Sequence, residues 1–139
     1  MRSLFALLLA VFLAQPAGGH SYKVGGVMVG HVWAAPTAGQ NTEVYVSLLN
    51  RATPGDQLVA VLAPTAQSAV LADAANKRIG AVDLPPNRPV SLKPGGIRVV
   101  LIGLDRPVRV GDKIKLTLSF ARAGTVQVEA MVEAGPSHS

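Results

Sequence analysis

The stretch Leu92–Val128 reads LKPGGIRVVLIGLDRPVRVGDKIKLTLSFARAGTVQV, and its order of turns and apolar runs decides the fold. In Lys113–Phe120, and again in Thr125–Glu133, apolar and polar residues alternate one by one. This period of two is typical of antiparallel strands with one buried and one solvated face. Ala123-Gly124 between the two runs is a turn signal, so we expect the two strands to form a hairpin.

The segments before this hairpin also have the pattern of short strands separated by turns. Ile97–Leu104 is apolar on both faces apart from Arg98, as expected of a strand inside a sandwich. Only Ala66–Asn76 is also compatible with a helical turn. Seven or more short strands at this spacing predict an all-β, single-domain, Greek-key β-sandwich of the immunoglobulin-like kind. The other expected strands are about Val24–Trp33, Glu43–Asn50, Gln57–Ala63, Ala69–Leu71 and Val90–Leu92.

The first residues have the layout of a secretory signal peptide. Arg2 is followed by an apolar run from Leu4 to Ala14 that is too short to span a bilayer, so no transmembrane anchor is expected. Cleavage after Gly19 predicts a signal peptide at 1–19, a domain at 20–133, a flexible tail at 134–139 and a periplasmic location. The chain has no Cys, which excludes disulfides, thiolate ligands and a lipidated cysteine.

Composition excludes several classes of function. The net charge is +5, but the basic residues are scattered and aromatic residues make up only 4% of the chain, so nucleic-acid binding is not expected. No serine has a plausible neighbouring base and orienting acid, and no glycine-rich phosphate loop precedes a helix. We therefore expect a protein that is not an enzyme.

Five motifs in register resemble the periplasmic PCu(A)C copper-chaperone family over nearly the whole chain after residue 19. Each motif alone is weak, because PGG and GD are ordinary turns. They are HSYKVGGVMVGHVWAAP from His20, VYVSLLN ending at Asn50, LKPGG–x5–IGL from Leu92, P-V-x-V-G-D from Pro107 and LTLSFxxAGTVxVE from Leu116.

The resemblance implies a cupredoxin-like sandwich that carries Cu(I) and delivers it to copper-receiving or cytochrome oxidase assembly proteins. The family binds copper with two His and two Met. The first His would fall on Ala72, a Met-bearing hairpin would fall on the shortened segment Asp73–Arg78, and a His-x-Met pair would fall on Arg98 and Val100. None of these ligands is present, so the chain resembles a divergent member whose usual copper site is lost.

The remaining donors suggest a first hypothesis, in which copper binds through the N-terminal segment at His20, Met28 and His31. After cleavage, the α-amine and imidazole of His20 could chelate copper together. Met28 and His31 lie three residues apart, so an extended strand would point them to opposite faces unless Gly30 kinks it. For His31 itself, however, we expect packing beside a buried Trp33 rather than metal binding.

A second hypothesis, from another class, is a metal-free protein-interaction module on the same scaffold. The former ligand end, lined by Ala72, Arg98 and Val100, would then be a docking surface on which Arg98 accepts a carboxylate. The sequence does not indicate the oligomeric state.

Overall fold

The computed structural model describes residues 21–134, and in this part of the chain all regular structure is β-strand. The strands are β1 (Ser21–Val24), β2 (Val27–Ala34), β3 (Thr42–Asn50), β4 (Asp56–Leu62), β5 (Ala66–Ala72), β6 (Arg78–Ile79), β7 (Val82–Leu84), β8 (Val90–Leu92), β9 (Arg98–Leu104), β10 (Lys113–Phe120) and β11 (Gly124–Val132). Between residues 21 and 134 no helix is long and apolar enough to cross a membrane. The predicted all-β fold is confirmed.

The strands form one mixed sheet that folds back on itself. Its order is β6-β5-β9-β3-β2-β11-β10-β4-β7, with β1 added to β2 and β8 added to β3. The neighbours are antiparallel except for β11 and β2, which run parallel at Met131↔Trp33 and Val132↔Ala34. Strands β4 and β5 lie close together although they are far apart in this order, so the sheet nearly closes into a barrel.

Alternating side chains from both halves of the sheet fill the interior. In the predicted hairpin, Ile114, Leu116, Leu118 and Phe120 are buried, and β10 pairs with β11 from Lys113↔Met131 to Phe120↔Gly124. Gly124 has a φ of 101°, a conformation that favours glycine in the turn. The rest of the core is mostly Val and Leu, whose branched side chains suit a half-buried pleated surface.

One local prediction was wrong, and the structure decides one alternative that the sequence left open. The expected strand Val24–Trp33 is split by a turn at Gly25-Gly26, where Gly25 has a φ of 52°, so it becomes the hairpin β1–β2. The segment Ala66–Asn76, for which the sequence allowed a strand or a helical turn, forms β5 over Ala66–Ala72 and pairs with β9, as the expected strand Ala69–Leu71 indicated. The predicted signal peptide, and the predicted tail beyond residue 134, lie outside the described residues.

Strand β2 contains a β-bulge at His31, one of the predicted copper ligands. Its pairing with β3 shifts between Gly30↔Ser47 and Trp33↔Tyr45, so His31 and Val32 together oppose a single residue. His31 has a φ of 44°, which is uncommon for a residue that is not glycine. The bulge interrupts the alternation of faces along β2 and re-aims the side chain of His31.

Candidate functional site

The sheet brings together the three positions at which the resemblance places copper ligands. Ala72 at the end of β5 pairs with Arg98 at the start of β9, and Val70 pairs with Val100 two residues further along. On the other side of β9, Val100 pairs with Glu43 of β3. The positions at which the resemblance places ligands therefore lie on one face of β5 and β9, beside Glu43 of β3.

Arg98 fills this place with its own side chain. The side chain is only 10% exposed, and its Nε lies 2.9 Å from Oε2 of Glu43. Nη1 donates to the carbonyl oxygens of Asp73 at 2.8 Å and Gly96 at 3.2 Å, and Nη2 donates to Oδ1 of Asn76. All three guanidinium nitrogens are engaged within the protein, so Arg98 is not free to accept a carboxylate from a partner in the way the docking hypothesis expected.

The loop after β5 is closed tightly around these contacts. The Asp73 carboxylate accepts hydrogen bonds from the backbone N–H groups of Ala75 and Lys77, both at 2.9 Å. The backbone of Asp73 also bonds to Lys77 and Asn76, and Asn76 has a positive φ of 68°. This Asx-type turn takes the place of the longer, Met-bearing hairpin that the resemblance implies.

A row of contacts runs from Arg98 across β3 to β2. Tyr45 donates a hydrogen bond of 2.5 Å from its hydroxyl to Oε1 of Glu43, whose other oxygen pairs with Arg98. The ring of Tyr45 lies 4.6 Å from the ring of Trp33, measured between centroids. Burial of Tyr45 raises the pKa of its hydroxyl well above the ordinary value; the hydrogen bond to Glu43 and the charge of that carboxylate raise it further, and Arg98 opposes them. Tyr45 is therefore a neutral donor at physiological pH.

His31 lies near the other end of this row and is open to solvent. Its side chain is 60% exposed, so the expectation that it packs in the interior beside Trp33 was wrong. The two rings are adjacent, with centroids 6.3 Å apart, but the bulge holds the imidazole at the surface. Nε2 of His31 lies 3.8 Å from Oε1 of Glu133, which is within ion-pair range but too long for a hydrogen bond.

Of the other two predicted ligands, one is on the surface and one lies outside the described residues. Met28 is 36% exposed and pairs with Lys23 on one side and Leu49 on the other. About 10 Å of extended strand, at most, separates its Cα atom from that of His31. His20 precedes the first described residue. Across 21–134, no group of three or more His, Cys, Asp or Glu side chains is already assembled to hold a metal ion.

Sequence reasoning did not find Glu43, Tyr45 or Glu133 as members of these clusters. Glu43 looked like an ordinary solvated charge, because nothing local connects it to Arg98. The period of two in β3 does place Glu43 and Tyr45 on the same face, and this signal could have linked the two residues.

The comparisons with known proteins identify the family and the fold. The family described as "Putative lipoprotein LpqE-like" matches residues 27–132. The chain itself has no cysteine to which a lipid could be attached. No curated protein gave a match.

Three solved structures illustrate the similarity. The apo PCuAC domain from PmoF1 is 35% identical, with a TM-score of 0.77, over 83% of this chain and 99% of that domain. The copper-bound PCuAC domain from PmoF2 is also 35% identical, with a TM-score of 0.76, over 83% of this chain and 98% of the domain. The Cu(I) form of DR1885 from Deinococcus radiodurans is 28% identical, with a TM-score of 0.64, over 85% of this chain and 83% of that one. The chain belongs to the LpqE-like family and has the fold of a PCuAC domain.

Proposed function

We propose that this protein is an exported copper-handling protein of the chaperone type, which holds copper through its N-terminal segment at His20, Met28 and His31. The observation that carries the proposal is the position of Arg98. A fixed cation with a full set of internal partners occupies the place of the usual ligands, while an exposed imidazole lies elsewhere on the same fold.

The former ligand position does not fit a copper ion. Ala72 and Val100 have no lone pairs, and Arg98 places a permanent positive charge where the cation would bind. The nearby oxygen atoms of Glu43, Asp73 and Asn76 are already engaged by the guanidinium. A copper ion would have to displace a buried, multiply bonded arginine, which is strongly unfavourable.

The N-terminal segment offers accessible donors instead. The imidazole of His31 is exposed, and within residues 21–134 the ion-pair partner of its Nε2, Oε1 of Glu133, lies at 3.8 Å, too far for a hydrogen bond. Ser21, the first described residue, pairs with Gly30, the residue directly before His31. His20 is covalently joined to Ser21, and cleavage after Gly19 would leave its α-amine beside its imidazole as a second nitrogen donor.

The comparisons support copper as the bound metal and a location outside the inner membrane. Two of the similar structures are copper-bound, one of them explicitly with Cu(I), and the family is described as one of lipoproteins, which are exported. Cleavage of a signal peptide at 1–19 would release the domain outside the inner membrane, where it would pass copper to copper-receiving or oxidase assembly proteins.

The test is a copper titration of untagged protein that begins at His20, with the bound metal measured after dialysis. Wild type should retain about one copper ion, and His20→Ala and His31→Asn should each weaken binding. Asn is chosen at position 31 because it tolerates the left-handed backbone. Arg98→Met is the matched control and should keep the copper. Absence of copper from the wild type, or unchanged binding by both histidine variants, would contradict the proposal.

The internal engagement of Arg98 also favours a second candidate, a metal-free interaction module. A built-in cation holds this end of the sandwich together without any metal. The exposed apolar side chains of β4, Leu62 at 65% and Val59 at 39% exposure, would then be the better docking surface. Stoichiometric copper on protein isolated from its native compartment would exclude this candidate. Copper-free protein with a partner that Leu62→Asp abolishes would support it.

A further inference from the structure

We infer that Met131 and Glu133 of β11 complete the copper site at His31. An imidazole, a thioether and a carboxylate then bind one Cu(I) ion beside the ring of Trp33. All four residues lie in the part of the chain that the structure describes. The inference rests on the proposed function and deepens it, because it names two ligands outside the N-terminal segment. It also takes the thioether from β11 rather than from Met28 of β2.

The register of β2 and β11 puts these donors on one outer face of the sheet. Met131 pairs with Trp33, and paired residues of a sheet point to the same face. The next pair, Val132 and Ala34, is buried in the core, so Met131 and Trp33 point outward. Glu133 continues this pattern, because its backbone N–H still donates to the carbonyl of Ala34 at 3.0 Å.

Glu133 and His31 are already spaced as two ligands of one ion. Oε1 of Glu133 lies 3.8 Å from Nε2 of His31, which is too far for a hydrogen bond. Two donor atoms that each lie about 2 Å from one metal ion are about 3–4 Å apart. The two side chains are 60% and 39% exposed, so an ion from solvent can enter between them.

The thioether of Met131 is within reach of the same point. The Cα atom of Met131 is about 7 Å from that of Glu133 along the strand and about 5 Å from that of Trp33 across the ladder. The ring of Trp33 is 6.3 Å from that of His31, measured between centroids. Methionine is unbranched, with three rotatable bonds, and Met131 is only half-buried, so its sulfur can turn towards the imidazole.

The chemistry of this donor set suits Cu(I). Thioether and imidazole are ligand types that bind Cu(I), and the carboxylate of Glu133 adds a negative charge beside the cation. The aromatic face of Trp33 also attracts a cation that lies within about 6 Å of the ring. An exposed site of this kind can release its ion to another protein, which is the property that a copper-handling protein requires.

Met131 is better placed than Met28 to supply the sulfur. The Cα atom of Met28 lies up to about 10 Å from that of the histidine along β2. Each methionine has a lysine as its neighbour across the ladder, Lys23 for Met28 and Lys113 for Met131. Met131 also shares its face with the carboxylate of Glu133, which offsets the charge of the lysine.

The test compares Met131→Leu with a matched control, Met28→Leu, in untagged protein that begins at His20. Leucine keeps the volume of methionine but has no sulfur. The affinity for Cu(I) is measured without oxygen, by competition with a chromophoric Cu(I) chelator. Met131→Leu and Glu133→Gln should each weaken binding at least about tenfold, whereas Met28→Leu should bind Cu(I) nearly as wild type does.

X-ray absorption at the copper edge gives a second readout that does not depend on the stability of the variants. The wild-type spectrum should contain one sulfur atom at about 2.3 Å from copper. This sulfur should be absent from Met131→Leu and present in Met28→Leu. Because Trp33 is the only tryptophan in the sequence, its fluorescence should also change when copper binds.

The possible failures of the inference and of the proposed function are distinguishable. If the sulfur is lost in Met28→Leu and kept in Met131→Leu, the inference is wrong and the proposed function stands. The same conclusion follows if Met131→Leu and Glu133→Gln bind Cu(I) as wild type does while His31→Asn does not. Wild-type protein that takes up no copper would overturn both.

Discussion

The guanidinium Nε of Arg98 lies 2.9 Å from Oε2 of Glu43, and this ion pair occupies the place where the resemblance puts copper ligands. The positive charge at this position therefore belongs to a side chain of the protein and not to a bound metal ion. Its remaining N–H groups hold the loop Asp73–Lys77 and the turn at Gly96. The scaffold thus gains a metal-independent clamp at this end and loses the side chains that could bind copper there.

The clamp predicts a stability cost for removing Arg98. Arg98→Met keeps most of the aliphatic volume but removes the ion pair with Glu43 and the hydrogen bonds to the carbonyl oxygens of Asp73 and Gly96 and to Oδ1 of Asn76. We expect the free energy of unfolding to fall by about 1–3 kcal/mol, less than for a fully buried pair because Glu43 is partly exposed. Urea denaturation measures this fall in the free energy of unfolding. Arg88→Met, at an exposed arginine, is the control and should stay within about 0.5 kcal/mol of wild type. Equal stabilities of the two variants would refute the clamp.

Tyr45 predicts a dependence of stability on alkaline pH. Because burial and Glu43 raise its pKa in the folded state, the unfolded chain loses this proton first, near pH 10. The contribution of the Tyr45 hydroxyl to the free energy of unfolding is therefore complete below about pH 10. Above that pH it is lost by up to about 1.4 kcal/mol per pH unit. The difference in unfolding free energy between wild type and Tyr45→Phe should narrow above that pH. A difference independent of pH between 9 and 11 would contradict the assigned environment of Tyr45.

Restoring the missing ligands should create a copper site beside β9. The triple change Ala72→His, Arg98→His and Val100→Met puts two imidazoles and a thioether on the paired positions of β5 and β9. In a His31→Asn background this variant should bind one Cu(I), detected by competition with a chromophoric Cu(I) chelator. The affinity should stay below that of a complete four-ligand site, since the loop Asp73–Lys77 supplies no Met. The control is His31→Asn alone, which should compete much more weakly for Cu(I). Equal Cu(I) binding by the two proteins would show that the missing ligands are not the reason why this end of the fold binds no copper.

The bulge at His31 predicts a backbone effect that is independent of metal. The φ of 44° is tolerated by Asn but strained for a β-branched residue. In metal-free buffer, His31→Val should be about 1–2 kcal/mol less stable than His31→Asn, as measured by urea denaturation. Equal stability would mean that the left-handed conformation at this position is not maintained in solution.

Much of the fold could be predicted from the sequence, because the pattern that encodes it is local. The hairpin β10–β11 follows from strict alternation in Lys113–Phe120 and Thr125–Glu133, with one turn between them. The segment Ala66–Ala72 was ambiguous because alanine carries little strand preference, and only its pairing with β9 decides its structure.

The candidate sites were less predictable, because their contacts join residues that are distant in the sequence. The assignment of Ala72, Arg98 and Val100 to the positions of copper ligands rests on motif spacing in the resemblance, and none of the three is a His or Met. The partner of Arg98 could not, since Glu43 meets it only through the pairing of β3 with β9. The exposure of His31 depends on a bulge; Gly30 indicates a possible irregularity there, but the sequence does not show that it turns the imidazole to the surface.

The most direct test of the central claim is the position of copper in a crystal of the copper-loaded protein that begins at His20, located by anomalous scattering at the copper edge. We expect one anomalous peak about 2 Å from an imidazole nitrogen of His31, with Arg98 still paired to Glu43. A peak beside Ala72 and Arg98, or no peak in a crystal of protein shown to contain copper, would contradict it.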